Sequence, residues 1–445
     1  MTKGSMIKGI TKFAIPCILI RVIQNLYPLL DALIVGKVLD LNSLSAVGVA
    51  GSLYSLFNET LLGLVSGFAI IASRKFGAEK RAEVPAVFFN TLLLSTVLCG
   101  AVTVLCLGFS EKMLFLLRTP PELMNCAEEY LSVLLWGLLP NMLYNFTGEM
   151  LRAVGESKQP LWLLIISSLL HLALLYPLTA AWGVRGAALS TVISYAVTVL
   201  LAFAYIFKKI PAFHLPVRSM QPDRRVMQES LGIGMPMALT SFVVMLGVLL
   251  LSFVTNGIGT EYVAAYSTAS KIGYIMTTPI FGFATALAVF VSQNFGAGEY
   301  ARIEKGVRQT MLLVMGVNAC VAAVLLALIR PILTSVFDGN TTAIDAGCLY
   351  LYIRAASMLV LTPAAIYKSI LPAIGKPLFS TLSGFIEIGV RFLFPMLLSH
   401  LLGFSVVPLT DSFTWCMLAA MLMISYHFEF GKCKKAGMIH EKQVV

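Results

Sequence analysis

Apolar runs of some twenty or more residues recur along the whole chain, separated by short stretches that carry lysine, arginine, glycine and proline. A run of that length lets a helix cross a hydrocarbon core of about 30 Å. The pattern predicts twelve such helices, over 12–36, 43–73, 84–107, 128–151, 160–182, 186–207, 228–256, 262–294, 309–331, 346–372, 377–402 and 408–428. The longest of these must tilt or protrude from a bilayer. The expected fold class is an all-α integral membrane protein.

The pattern also repeats. "LSAVGVAGS" at 44–52 returns as "VAAYSTAS" at 263–270, and "SRKFGAEKRAEV" at 73–84 as "SQNFGAGEYARI" at 292–303. "LRAVGESKQPL" at 151–161 answers "LPAIGKPL" at 371–378. The offset is 219 for Phe76 and Phe295 and 220 for Gly155 and Gly375. Ordered blocks at one spacing mark an internal duplication. Each half then holds six helices, and an even number gives both halves the same orientation, so the repeats are parallel and related by an axis along the membrane normal. The expected organisation is a first lobe at 1–207, a basic proline-bearing connector at 208–227, a second lobe at 228–430 and a basic tail at 431–445, with a central cavity between the lobes.

Composition changes the picture little. The chain is 58% hydrophobic and only 12% charged, where a water-soluble domain carries about 25% charged residues. Its formal charge of +10 does not point to nucleic acid, because the distribution follows topology. With the N-terminus in the cytoplasm, twenty-two of the 32 Lys and Arg fall on the inner side, five fall outside (Lys37, Lys112, Arg118, Arg185, Arg330) and five lie within predicted spans. That is the positive-inside bias, and it predicts two cytoplasmic termini. The N-terminal "MTKGSMIKGITKF" has no cleavage pattern, so the first apolar run is expected to stay as a helix. Eight cysteines without metal-ligand spacing read as small packing residues, and no metal site is expected.

Charges inside the spans carry the candidate chemistry. On the first helix, Arg21, Gln24, Pro28 and Asp31 follow at steps of three, four and three, which puts a polar stripe on one face. Charging an Asp near the bilayer centre costs about 2.5–3.5 kcal/mol, and protonating an ordinary one at pH 7 costs about 4 kcal/mol. A buried Asp31 is therefore poised between binding a proton, binding a cation and staying hydrated; a carboxylate satisfied by neighbouring helices is the structural alternative. Pro28 leaves the Gln24 carbonyl without its helical partner and is a candidate hinge, or a static bend. Glu59, beside Asn58 in the second span, is a second candidate for a proton or a cationic substrate. Glu387 and Arg391, four apart, can neutralise each other on one helix face. Glu149 and Arg152 read as a gate or cap pair. Gln24, Asn25, Tyr27, Asn145 and Glu387 are candidates for a polar cavity lining.

"AIP" at 14–16, "DALIVGKVLDLNSLSAVG" at 31–48, "GLVSGFAIIASRKFGA" at 63–78, "GVRGAALSTVIS" at 183–194, "GIGMPMAL" at 232–239 and "NGIGTEYVAAYSTASKI" at 256–272, taken with the repeated blocks, resemble the MATE family of multidrug and toxic-compound extrusion transporters across essentially the whole chain. The resemblance implies twelve helices in two lobes and cation-coupled antiport, in which entry of H+ or Na+ drives export of organic, cationic or amphipathic compounds. It implies no cofactor, a small-molecule substrate, a lipid bilayer as the main partner, a monomer, and the inner membrane of a bacterium. Flippases of lipid-linked precursors share the architecture and are the second reading.

Asp31 matches the family's first-helix Asp. The sequence departs from the pattern on the fifth span, where many members carry an Asn followed four residues later by an Asp; "SSLLHLALLYPL" at 167–178 puts His171 and Leu175 there. A two-carboxylate Na+ site is therefore not expected. His171 is a substitute that titrates near physiological pH, or else a hydrogen-bonded structural histidine. An enzyme is disfavoured, because the chain has no HExxH, GxSxG or P-loop motif.

Overall fold

The computed structural model describes residues 1–26, 30–31, 33–40, 42–214, 220–251, 261–337 and 340–436. Among them lie twelve α-helices and no strand: α1 Met6–Val38, α2 Leu41–Gly77, α3 Val84–Leu116, α4 Pro121–Trp136, α5 Leu138–Ala153, α6 Lys158–Lys209, α7 Arg224–Asn256, α8 Thr260–Gly296, α9 Tyr300–Phe337, α10 Thr341–Ala373, α11 Pro377–Leu402 and α12 Val406–Val444. Local chemistry sets several starts. Asp40 caps α2 by accepting the Ser43 amide at 2.8 Å, and Asn340 caps α10 by accepting the Ala343 amide at 3.1 Å. Proline stands in the first turn of α3, α4 and α11, where its missing N–H costs nothing.

The helices depart from the expectation at two places, which involve three of the predicted spans. The segment predicted as one helix at 128–151 begins earlier and is broken at Gly137 into α4 and α5. Pro140 explains the break, since it has no amide to donate to the Trp136 carbonyl. The segments predicted separately at 160–182 and 186–207 are continuous in α6 except for Trp182 and Gly183, whose φ of 59° and ψ of −139° suit only glycine. Fifty-two residues of straight helix would span about 78 Å, more than twice a hydrocarbon core. The chain instead turns back at Gly183, because Gly186 packs directly on the Leu178 carbonyl. Gly403, 220 positions later, has a matching φ of 53° between α11 and α12. Eight apolar helical segments are long enough to cross a membrane among the described residues, and those at 158–209 and 377–436 are long enough for two crossings each.

The chain forms two compact units, one of Met1–Val22 with Leu239–Val445 and one of Ile23–Ala238. The divisions fall inside α1 and α7. Each unit has its own apolar core: Ile10, Phe13 and Cys17 of α1 are buried in the first with Phe290, Ile366 and Leu422, while Ile233 and Ala238 of α7 are buried in the second with Phe68, Phe88 and Phe146. The turn between α2 and α3 is charged: the Lys75 ammonium, 2.6 Å from Glu83, holds that carboxyl below its usual range. Of the expected connector, residues 215–219 lie outside the described residues.

Candidate functional site

In the unit formed by residues 23–238, α1 and α6 bring Asp31 and His171 together. The imidazole Nε2 is 2.7 Å from the carboxylate Oδ1. His171 is fully buried, while the Asp31 side chain keeps 22% of its exposure. The other ring nitrogen, Nδ1, is 3.2 Å from Ser190 Oγ and 3.5 Å from Thr191 Oγ1. The reversal of α6 at Gly183 makes this possible, because Ser190 and His171 stand on opposite limbs of that turn. Leu175, at the family's second acidic position, is an apolar core residue.

Ser190 Oγ is also 2.7 Å from the Ala187 carbonyl, which can only accept. A serine hydroxyl has one proton to give. Given to Ala187, that proton leaves Ser190 as acceptor for an Nδ1–H, and the short Nε2–Oδ1 contact then holds a further proton on His171 or Asp31. Given to Nδ1 instead, it leaves a neutral imidazole that donates from Nε2 to an ionised Asp31. The two arrangements differ by one proton, and in each the His171–Asp31 contact is satisfied.

A polar ladder joins α2 and α5 in the same unit. Asn141 Nδ2 donates to the Tyr54 hydroxyl at 2.7 Å and to Asn58 Oδ1 at 2.8 Å. Asn145 Nδ2 donates to Asn141 Oδ1 at 3.1 Å and to Asn58 Oδ1 at 3.4 Å. Tyr54 and Asn58 are four apart on α2, as are Asn141 and Asn145 on α5, so each pair shares a helix face. Glu59 is half-buried and rotated about 100° from that face. Gln24 is exposed and Asn25 half-buried on α1. Tyr27 and Pro28 lie outside the described residues. Glu149 pairs with Arg152 at 2.8 Å.

Glu387 is in the other unit, paired with Arg391 at 2.9 Å and with Lys368 at 3.0 Å. Asp411, Arg354 and Lys368 extend this cluster, and the sequence reading assigned none of them a role in it. Lys368 and Arg354 were visible as intramembrane charges, but their partners lie on other helices. Ser190, Thr191 and Tyr54 were also missed; Tyr54 alone had a local signal, its i, i+4 spacing to Asn58.

The MatE family model matches residues 16–176 and 236–397, so the chain belongs to that family, one of membrane transporters and not of enzymes. It is 26% identical to "Probable multidrug resistance protein YoeA" of Bacillus subtilis, over 98% of this chain and 96% of that protein. It is 22% identical to "Multidrug export protein MepA" of Staphylococcus saprophyticus, over 95% of this chain and 94% of that one. In fold it resembles a solved outward-facing multidrug resistance MATE family transporter of the MOP superfamily, with a TM-score of 0.89 at 21% identity and 97% of each chain covered. The chain is thus a multi-pass helical membrane protein.

Proposed function

We propose that this protein is a proton-coupled exporter of organic, cationic or amphipathic compounds, and that the Asp31–His171 pair is its coupling site. The observation that carries the reading is the 2.7 Å contact between a buried imidazole and a partly exposed carboxylate, backed by a serine hydroxyl able to adapt to either protonation state. Hard cations favour sets of oxygen ligands. A nitrogen at hydrogen-bond distance and a leucine at the second acidic position favour a proton over Na+. Binding or release of the proton changes the local charge by one, and a difference in its affinity between inward- and outward-facing states shifts their populations. The multidrug names of the relatives support a small-molecule cargo over a lipid-linked one. A monomer in a bacterial inner membrane, with both termini cytoplasmic, fits the basic inner-side loops.

The test is efflux of ethidium from proteoliposomes under imposed pH and Na+ gradients applied separately, for the wild type and Asp31→Asn. A pH gradient should drive the wild type and leave the folded variant at the passive rate. Drive by Na+ alone, or normal proton-driven efflux by Asp31→Asn, would overturn the assignment.

A further inference from the structure

In the unit containing residues 239–445, five charged side chains form one chain, buried except at Lys368, a quarter of whose side chain is exposed. Lys368 donates to Glu387 at 3.0 Å, Glu387 pairs with Arg391 at 2.9 Å, Arg391 donates to Asp411 at 3.2 Å, and Asp411 accepts from Arg354 at 3.2 Å. Glu387, Arg391, Asp411 and Arg354 each retain less than a tenth of their exposure. Three helices contribute: Arg354 and Lys368 come from α10, Glu387 and Arg391 from α11, and Asp411 from α12. The helices facing them are shaped to fit, since Gly273 of α8 packs on Arg354 and Gly247 of α7 on Arg391.

The sequence of signs along this chain is cation, anion, cation, anion, cation. Each carboxylate is matched on both sides, whereas Lys368 and Arg354 at the two ends have one carboxylate each. Three cations against two anions leave a surplus of one positive charge among the described residues. Aromatic faces offset part of it, with the Arg354 guanidinium 5.0 Å from the Trp415 ring and 5.7 Å from Tyr274. A hydrogen bond to the neutral Tyr350 hydroxyl at 3.1 Å adds to this without supplying charge. The Nε atoms of both arginines have no hydrogen-bond partner. A charge lacking a counter-charge is unfavourable in a medium of low polarity, which bears most on the buried Arg354 end and less on Lys368, a quarter of whose side chain is exposed.

All five side chains line one cavity of about 190 Å³, whose other walls include Tyr266, Phe281, Leu361 and Trp415. Apolar and aromatic walls with a few convergent polar groups characterise a small-molecule site. We propose that this cavity binds a compact organic monoanion, an aromatic or amphipathic carboxylate, whose charge neutralises the Lys368–Arg354 surplus while its apolar body packs on the aromatic walls. This is a statement about binding within one unit, and it does not depend on which ion drives transport.

The experiment is ligand-observed fluorine NMR on the purified full-length protein in detergent, in chloride-free buffer. The probes are 4-fluorobenzoate, 4-fluorobenzamide and 4-fluorobenzamidine, three ligands of nearly one shape carrying charges of −1, 0 and +1. The benzoate should bind at least tenfold more tightly than the amide, with the amidine weakest. Lys368→Gln removes the surplus cation and should lower benzoate affinity tenfold or more; Glu387→Gln removes an anion and should raise it. A folding defect would weaken both variants, so opposite directions are diagnostic. Equal affinity across the three probes, preference for the amidine, or loss of benzoate affinity in Glu387→Gln would overturn the proposal.

Discussion

The His171 imidazole lies 2.7 Å from the Asp31 carboxylate although 140 residues separate them in sequence. Of the two, only the carboxylate keeps substantial exposure. In the proposed coupling role, the exposed carboxylate is the group that a proton from water would meet first, and the 2.7 Å contact lets it pass to His171 without either side chain leaving its partner. If that relay couples transport, His171→Gln, which can still hydrogen-bond Asp31 but cannot titrate, should lose pH-driven ethidium efflux by tenfold or more, about 1.4 kcal/mol in barrier terms. Passive ethidium equilibration should persist. Undiminished proton-driven efflux would make the histidine structural.

Ser190 should support the coupling step. Its hydroxyl lies 3.2 Å from His171 Nδ1 and 2.7 Å from the Ala187 carbonyl, and a hydrogen bond to a charged group contributes about 1.5–3 kcal/mol. Ser190→Ala removes that partner and should slow proton-driven ethidium efflux from proteoliposomes by about tenfold, the equivalent of about 1.4 kcal/mol. Undiminished efflux would contradict this hydrogen-bond assignment.

The α6 reversal makes a stability prediction. Gly183 holds a backbone conformation that costs a side-chain-bearing residue about 1–3 kcal/mol, and at Gly186 a methyl would strike the Leu178 backbone. Gly183→Ala should lower the melting temperature in detergent. Gly186→Ala should be the worse of the two, with little monodisperse protein on size-exclusion chromatography, because neither backbone can move aside without opening the turn.

On α8, Gly273 leaves room for Arg354. Gly273→Ala should push the guanidinium off Asp411, with an overpacking cost of about 1–3 kcal/mol and weaker 4-fluorobenzoate binding. Gly316→Ala, where the added methyl meets nothing, is the control and should be neutral or slightly stabilising in the same melting assay.

The duplicated turns differ at one informative place. Glu79 has φ 58° where its counterpart in the second half, Gly298, has φ 75°. A non-glycine residue in that region carries a steric cost of about 1–2 kcal/mol. Glu79→Gly should relieve it, partly offset by the greater freedom of glycine in the unfolded chain. The expected net gain, up to about 1 kcal/mol, is measurable as a raised melting temperature; a lowered one would show that contacts of the Glu79 side chain outweigh the strain.

Much of this molecule follows from local rules. A helix closes its hydrogen bonds within four residues, and an apolar run either spans a bilayer or does not, so the membrane-crossing segments and the duplication could be read directly from the chain. The pairing of Glu387 with Arg391 was legible for the same reason, being one helical turn. The unusual position of Asp31 was legible because a carboxylate in an apolar run needs a partner. Which partner was a different matter. The depth and rotation at which α1 and both limbs of α6 pack decide that Asp31 meets His171 and that Ser190 stands behind it. Likewise the chain from Lys368 to Arg354 exists only because α10, α11 and α12 converge, with glycines on α7 and α8 making space. Sequence therefore determined that buried charges must be matched, and tertiary packing alone decided which charges match and where one is left over, because electrostatic pairing depends on distances of a few ångströms that no spacing along the chain encodes.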